Sequence, residues 1–133
     1  MQDQLIFGVG RLLCALPLAD VVETVRPLPV QPLADAGGGL LGVAVIRGAA
    51  VPVIDTARLL GDYASEPSRF VTVEAPSGTV AFATGPVLGV RSVPRSAAHP
   101  APDGGALIDA VGVLDGQPLL FLNPAGGGLR AAA

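Results

Sequence analysis

Apolar positions along this chain fall in short runs with the two-residue period of strands. Leu5, Phe7 and Val9 share one face of an expected half-buried strand. Gly10-Arg11 is a plausible turn, and residues 11–16 return as the second strand of a hairpin. Pro17 ends that strand because it has no N–H to donate. The β-branched run 21–26 alternates again and sets Val21, Glu23 and Val25 on one side. Three prolines between Pro27 and Pro32 impose an extended, irregular path, and 35–39 reads as a flexible glycine-rich loop. Two more strands are expected at 42–47 and 50–54, joined around Gly48-Ala49, with Val43, Val45 and Arg47 on a common face. Pro52 marks the second of them as an edge strand, or as bulged there.

Asp55 is placed to cap a short helix over 56–60, with Gly61 closing its C-terminal end. A polar linker, 62–68, leads to a hairpin of 69–75 and 79–84 across Pro76-Ser77-Gly78. Residues 87–93 form another strand, and 95–105, rich in Pro, Ala and Gly, reads as a surface loop. The last hairpin, 107–114 with 118–122, turns at Asp115-Gly116, a strong signal for a tight turn. From Ala125 onward the sequence AGGGLRAAA has too few core residues to pack and is expected to be a flexible tail. About nine short strands and one short helix predict an all-β domain of small barrels or a sandwich over 1–124, with the tail at 125–133.

Composition narrows the function. The 133 residues suffice for one domain with a real core, built from Val, Leu, Ile and Ala because Trp is absent and aromatics are few. Mean hydropathy is high, +0.60, yet 18 Gly and 13 Pro break up the apolar runs. None reaches the ~18 residues a spanning helix needs, and the N-terminus lacks a secretory signal, so no direct membrane insertion is expected. A single cysteine, Cys14, favours the reducing cytoplasm. The net charge is −3 and every basic residue is a scattered Arg, which argues against nucleic acid.

Catalytic and metal chemistry find little support. One His and one Cys lie far apart without paired-ligand spacing, so no metal site and no cofactor are expected. Cys14 reads as a small core residue and His99 as an exposed one. The glycine triplets 37–39 and 126–128 lack the strand-before, helix-after context of a phosphate loop. A small β-barrel enzyme or ligand-binding protein using His99, Cys14 or nearby acids is the alternative from another class. What stands out is Arg47 among valines and Glu23 among valines. Each charge is costly there alone, and together they can form a hydrogen-bonded pair at the centre of a protein-binding surface.

At these residues the chain resembles the CheW family, the scaffold that couples chemotaxis receptors to the histidine kinase CheA. The resemblance runs through Leu18-Ala19-Asp20-Val21-Val22-Glu23, then Gly42-Val43-Ala44-Val45-Ile46-Arg47-Gly48. It continues through Val51-Pro52-Val53-Ile54-Asp55 and the pair Leu59-Leu60. It implies two intertwined SH3-like five-stranded β-barrels with a hydrophobic cleft between them. It also implies that the cleft beside Arg47 receives the cytoplasmic tip of a methyl-accepting chemoreceptor, with Glu23 steadying Arg47. The expected receptor- and kinase-binding residues are Val21, Glu23, Val43, Val45, Arg47, Gly48, Val51 and Asp55. Other faces would meet the regulatory domain of a CheA-type kinase, and the family implies no catalysis and no cofactor. The chain departs from the family pattern at Val45, where an Asn is usual, at Ala83-Thr84-Gly85-Pro86, and beyond Asn123-Pro124, where the C-terminal helix has no counterpart. A receptor-binding adaptor or competitor that does not engage the kinase is therefore the alternative within the family.

Overall fold

The computed structural model describes residues 2–33, 39–61, 66–94, 99–100 and 107–124. In chain order the elements are β1 (Gln2–Val9), β2 (Leu12–Pro17), a single 3-10 turn (Leu18–Asp20), β3 (Val21–Val25), β4 (Leu40–Ile46) and β5 (Ala49–Asp55). There follow α1 (Thr56–Leu59), β6 (Arg69–Ala75), β7 (Gly78–Thr84), β8 (Val87–Val93), β9 (His99–Pro100), β10 (Ile108–Leu114) and β11 (Gln117–Leu122). The loops expected at 35–39, 62–68 and 95–105 lie partly outside the described residues, and the expected tail at 125–133 lies wholly outside them.

The strands form a five-stranded sheet, β3-β6-β7-β5-β4, and a six-stranded sheet, β8-β1-β2-β11-β10-β9. The chain starts one sheet with β1–β2, builds all of the other, and returns to finish the first, so the two are interwoven. Their plans coincide. Each has a central antiparallel hairpin (β6–β7, β1–β2) with an edge strand on its first member (β3, β8). A second hairpin (β4–β5, β10–β11) joins the other member through a parallel pair, β5 with β7 and β11 with β2. The six-stranded sheet adds β9, two residues inside what the sequence marked as a surface loop.

Packing explains why the strands read as near-continuous apolar runs. Ala44, Ile46, Val53, Phe70 and Ala81 fill the five-stranded sheet's own core. Ile6, Ala15, Leu119 and Phe121 fill that of the six-stranded sheet. The opposite faces meet in a shared core of Leu5, Phe7, Val9, Cys14, Leu16, Ile54, Val71, Val73 and Phe82. β1 was expected to be half-buried; instead Ile6 is as buried as Leu5 and Phe7, because both faces of the strand are covered.

Three local expectations need correction. β5 is not an edge strand: β4 and β7 flank it. Pro52 is tolerated because its partner Val43 exchanges both backbone hydrogen bonds with Gln31 on the outer side, at 2.8 and 2.9 Å, and β7 pairs only with 53–55. The bulge of that hairpin lies at Leu40/Gly42 rather than at Pro52. In β3 the register slips between Val21 and Glu23, so Val21 packs on the shared core while Val25 packs on the five-stranded sheet's core. The short helix forms as expected, with the Asp55 carboxylate accepting the Arg58 N–H at 3.3 Å and Gly61 closing the end at φ 85°.

Candidate functional site

Arg47 is not a strand residue. β4 ends at Ile46, which pairs with Ala49, so Arg47 and Gly48 are the two corner residues of a tight turn. Their φ angles, 53° and 79°, are both positive, the geometry that matches the twist of the flanking strands. Gly48 adopts it freely, whereas Arg47 is a non-glycine residue held in the left-handed region. The common face expected for Val43, Val45 and Arg47 therefore ends at Val45.

The turn carries Arg47 across to β3, at the opposite end of the strand order. There Nε donates to Glu23 Oε2 at 3.1 Å and to Oε1 at 3.3 Å, while Nη2 donates to Oε1 at 2.8 Å. The two-pronged pair can form only because the five-stranded sheet curls until β3 faces the β4–β5 turn. Glu23 is held from below by Thr72. The Thr72 hydroxyl accepts the Glu23 N–H at 3.2 Å and donates to the Glu23 carbonyl at 3.2 Å. Thr72 is buried and 49 residues away in sequence, so nothing in the local pattern around Glu23 announces it. The hydrogen bond from Arg47, aided by its charge, holds the Glu23 carboxyl below its ordinary pKa, and Glu23 raises that of Arg47.

The pair faces solvent. The Arg47 side chain is 79% exposed and that of Glu23 24%, so the arginine is orientated yet open to a partner. Val45 (70%) and Val22 (52%) lie exposed beside it in sequence, on β4 and β3. Of the other expected site residues, Val43 and Val21 are half-buried, and Val51 is buried in the five-stranded sheet's core. Asp55 lies at the far end of β5, about 23 Å from Gly48 along an extended strand. Glu23, Val45, Arg47 and Gly48 are thus gathered at one end of the sheet; Val51 and Asp55 are not part of that cluster.

The cavity between the two sheets is at the Asp55 end. Val9 and Gly10 come to it from the six-stranded sheet, and Leu41, Asp55, Ala83, Thr84 and Gly85 from the other side, enclosing about 70 Å³. Arg47 is not among the residues that line this cavity.

The six-stranded sheet repeats the closure with its charges reversed. Arg91 on edge strand β8 pairs with Asp115 in the β10–β11 turn, Nη1 to Oδ2 at 3.0 Å and Nη2 to Oδ1 at 3.3 Å. Asp115 and Gly116 are again at positive φ, 52° and 80°. Val113, two residues before Asp115 as Val45 is before Arg47, is 71% exposed, and Val90, next to Arg91 as Val22 is to Glu23, is 49% exposed. In each barrel one ion pair ties the free edge strand to the opposite turn.

Residues 3–126 match the CheW-like domain family. The chain belongs to that family. Its fold superposes on the crystal structure of the scaffolding protein TtCheW from Thermoanaerobacter tengcongensis with a TM-score of 0.81 at 19% identity, covering 92% of this chain and 88% of that one. No curated protein sequence matches it. The two side chains weighed as candidate catalysts, Cys14 and His99, are not brought together in this CheW-like domain. Burial pushes the Cys14 thiol up to about 12, which disfavours the thiolate that a nucleophile needs. His99 pairs with Val111, Val111 with Leu120, and Leu120 with Cys14. That sets His99 three strands, about 14 Å, from the thiol. Among the described residues no group of three or more His, Cys, Asp or Glu could hold a metal ion, and no helix is long and apolar enough to cross a membrane.

Proposed function

We propose that this protein is a non-enzymatic cytoplasmic adaptor that couples methyl-accepting chemoreceptors to a CheA-type histidine kinase. The observation that carries the reading is the Glu23–Arg47 pair: a guanidinium fixed at the end of a barrel, mostly exposed, and neighboured in sequence by exposed Val22 and Val45. A charge held in place amid apolar anchors suits recognition of another protein, the valines supplying desolvated contact and the arginine orientation. The partner at this end is the receptor tip, and the kinase regulatory domain meets another face.

The test is binding of the full chain to a receptor cytoplasmic tip and, separately, to the kinase regulatory domain. Receptor binding abolished by Arg47→Glu, with the fold intact by circular dichroism, supports the reading. Unchanged binding by that variant removes Arg47 from the site. Receptor binding without any kinase binding would instead identify an adaptor or competitor, the role suited to the exposed Val45 where relatives carry a polar residue.

A further inference from the structure

We propose that Thr72 is a positioning residue for partner recognition. Its buried hydroxyl sets the backbone of Glu23, and through Glu23 the direction in which Arg47 is presented. The step from Arg47 to the receptor tip rests on the adaptor reading; the step from Thr72 to Arg47 stands on geometry alone.

The geometry begins at the register slip in β3. Between Val21 and Glu23 the ladder to β6 is interrupted, and a slip of this kind re-aims the side chain that follows it. Glu23 resumes the pairing opposite Thr72. There a single hydroxyl bonds both backbone groups of Glu23, accepting its N–H and donating to its carbonyl, each at 3.2 Å. A hydroxyl can do this because it combines donor and acceptor in one atom. Thr72 is itself buried, so it gives a solvent-facing ion pair a fixed point in the barrel wall. The demand on Glu23 is strict, because a two-pronged carboxylate–guanidinium pair needs both groups aligned, with Nε on Oε2 and Nη2 on Oε1.

The other barrel has the same latch without the clamp. Arg91 takes the place of Glu23, and opposite it on the central hairpin stands Gln4, whose amide has no hydrogen-bond partner among the described residues. The Arg91 side chain is 50% exposed, against 24% for Glu23. The clamp belongs to the latch whose edge-strand member is the more enclosed, and a supported first contact is what a recognition site needs.

The experiment compares three variants of the full chain. Thr72→Val keeps the shape and loses the hydroxyl, Thr72→Ser keeps the hydroxyl, and Thr72→Ala differs from the serine variant by the hydroxyl alone. Carbon-detected NMR titration of the Glu23 carboxyl reads the geometry, and affinity for a receptor cytoplasmic tip reads recognition. In Thr72→Val and Thr72→Ala the Glu23 midpoint should move up towards the ordinary value although Glu23 and Arg47 are both intact, with Asp115 unmoved. Receptor-tip binding should weaken about two- to tenfold, the range of one hydrogen bond's net contribution. Thr72→Ser should restore both readouts. If the valine variant does not fold, the serine–alanine pair decides. An unmoved Glu23 midpoint, or one that moves as far in serine as in alanine, overturns the proposal. A receptor tip that loses binding on Arg47→Glu yet binds the valine and alanine variants as well as the parent overturns it too. Failure of the Arg47 reading is a separate result, since it shows in the Arg47→Glu receptor assay and leaves the Glu23 midpoints where Thr72 puts them.

Discussion

Gly85 and Gly8 meet backbone to backbone where the barrels join. The Gly85 N–H donates to the Gly8 carbonyl at 2.7 Å, and a Cβ built on Gly85 would lie the same 2.7 Å from that oxygen. The Gly8 N–H in turn donates to the Pro86 carbonyl at 2.9 Å, so the crossing is bonded both ways. A Cβ on Gly8, by contrast, meets nothing nearer than Pro86 Cδ at 3.7 Å. Gly85→Ala should therefore cost about 1–3 kcal/mol by forcing the strands apart, while Gly8→Ala stays within ~1 kcal/mol of the parent. Urea denaturation of the two variants checks this, and equal stabilities would show that the crossing yields freely.

Gln4 is fully buried, and neither its amide oxygen nor its amide nitrogen has a hydrogen-bond partner among the described residues. It pairs across the sheet with Arg91 on one side and Pro17 on the other. The equivalent position in the other barrel is Thr72, whose hydroxyl is fully used in clamping Glu23. Orphaned buried polar atoms cost about 1–3 kcal/mol, so the near-isosteric Gln4→Met should raise the urea midpoint with the slope unchanged. A lower midpoint would mean that the amide is satisfied by internal water.

The sequence made the strands readable where their physics is local. Asp115-Gly116 announces its turn because Asp and Gly accept positive φ, and Asp55 and Gly61 bracket the helix by their capping chemistry. The Glu23–Arg47 pair was legible for another reason: two charges among valines each need a partner. What escaped is non-local or against type. Arg47 is an unusual residue for a left-handed corner, so the strand pattern carried on through it and put the turn one residue late. The slip at Val21 depends on where β6 sits, and the pairing of Thr72 with Glu23 spans 49 residues. The parallel pairs β5–β7 and β11–β2, which make the sheets interweave, left no mark in the periodicity and were reachable only through family resemblance.

The Glu23 carboxyl is held below the ordinary carboxylate range, chiefly by the Arg47 hydrogen bond, and Asp115 likewise by Arg91. A folded-state pKa lowered in this way favours the folded state at pH above the ordinary carboxylate range. That contribution disappears as the pH falls through the lowered values. Carbon-detected NMR titration of Glu23 should show its midpoint moving up towards the ordinary value in Arg47→Asn, with Asp115 unaffected. An unmoved Glu23 midpoint would separate the carboxyl's shift from the ion pair.

Arg47 has two roles that the usual alanine substitution confuses: it forms a left-handed corner and it presents a charge. Asn accepts positive φ more readily than other non-glycine residues, whereas a β-branched side chain is strained there. Arg47→Asn should therefore keep the hairpin and its melting temperature while losing both the Glu23 pair and receptor-tip binding. Arg47→Val should lower the melting temperature as well, since φ 53° at this corner is set by the pairing of Ile46 with Ala49. The ion pair itself contributes little to the fold, being solvent-exposed. If Arg47→Asn melted as early as Arg47→Val, the barrel would depend on the latch. Binding lost through Arg47 would then report on folding rather than on recognition.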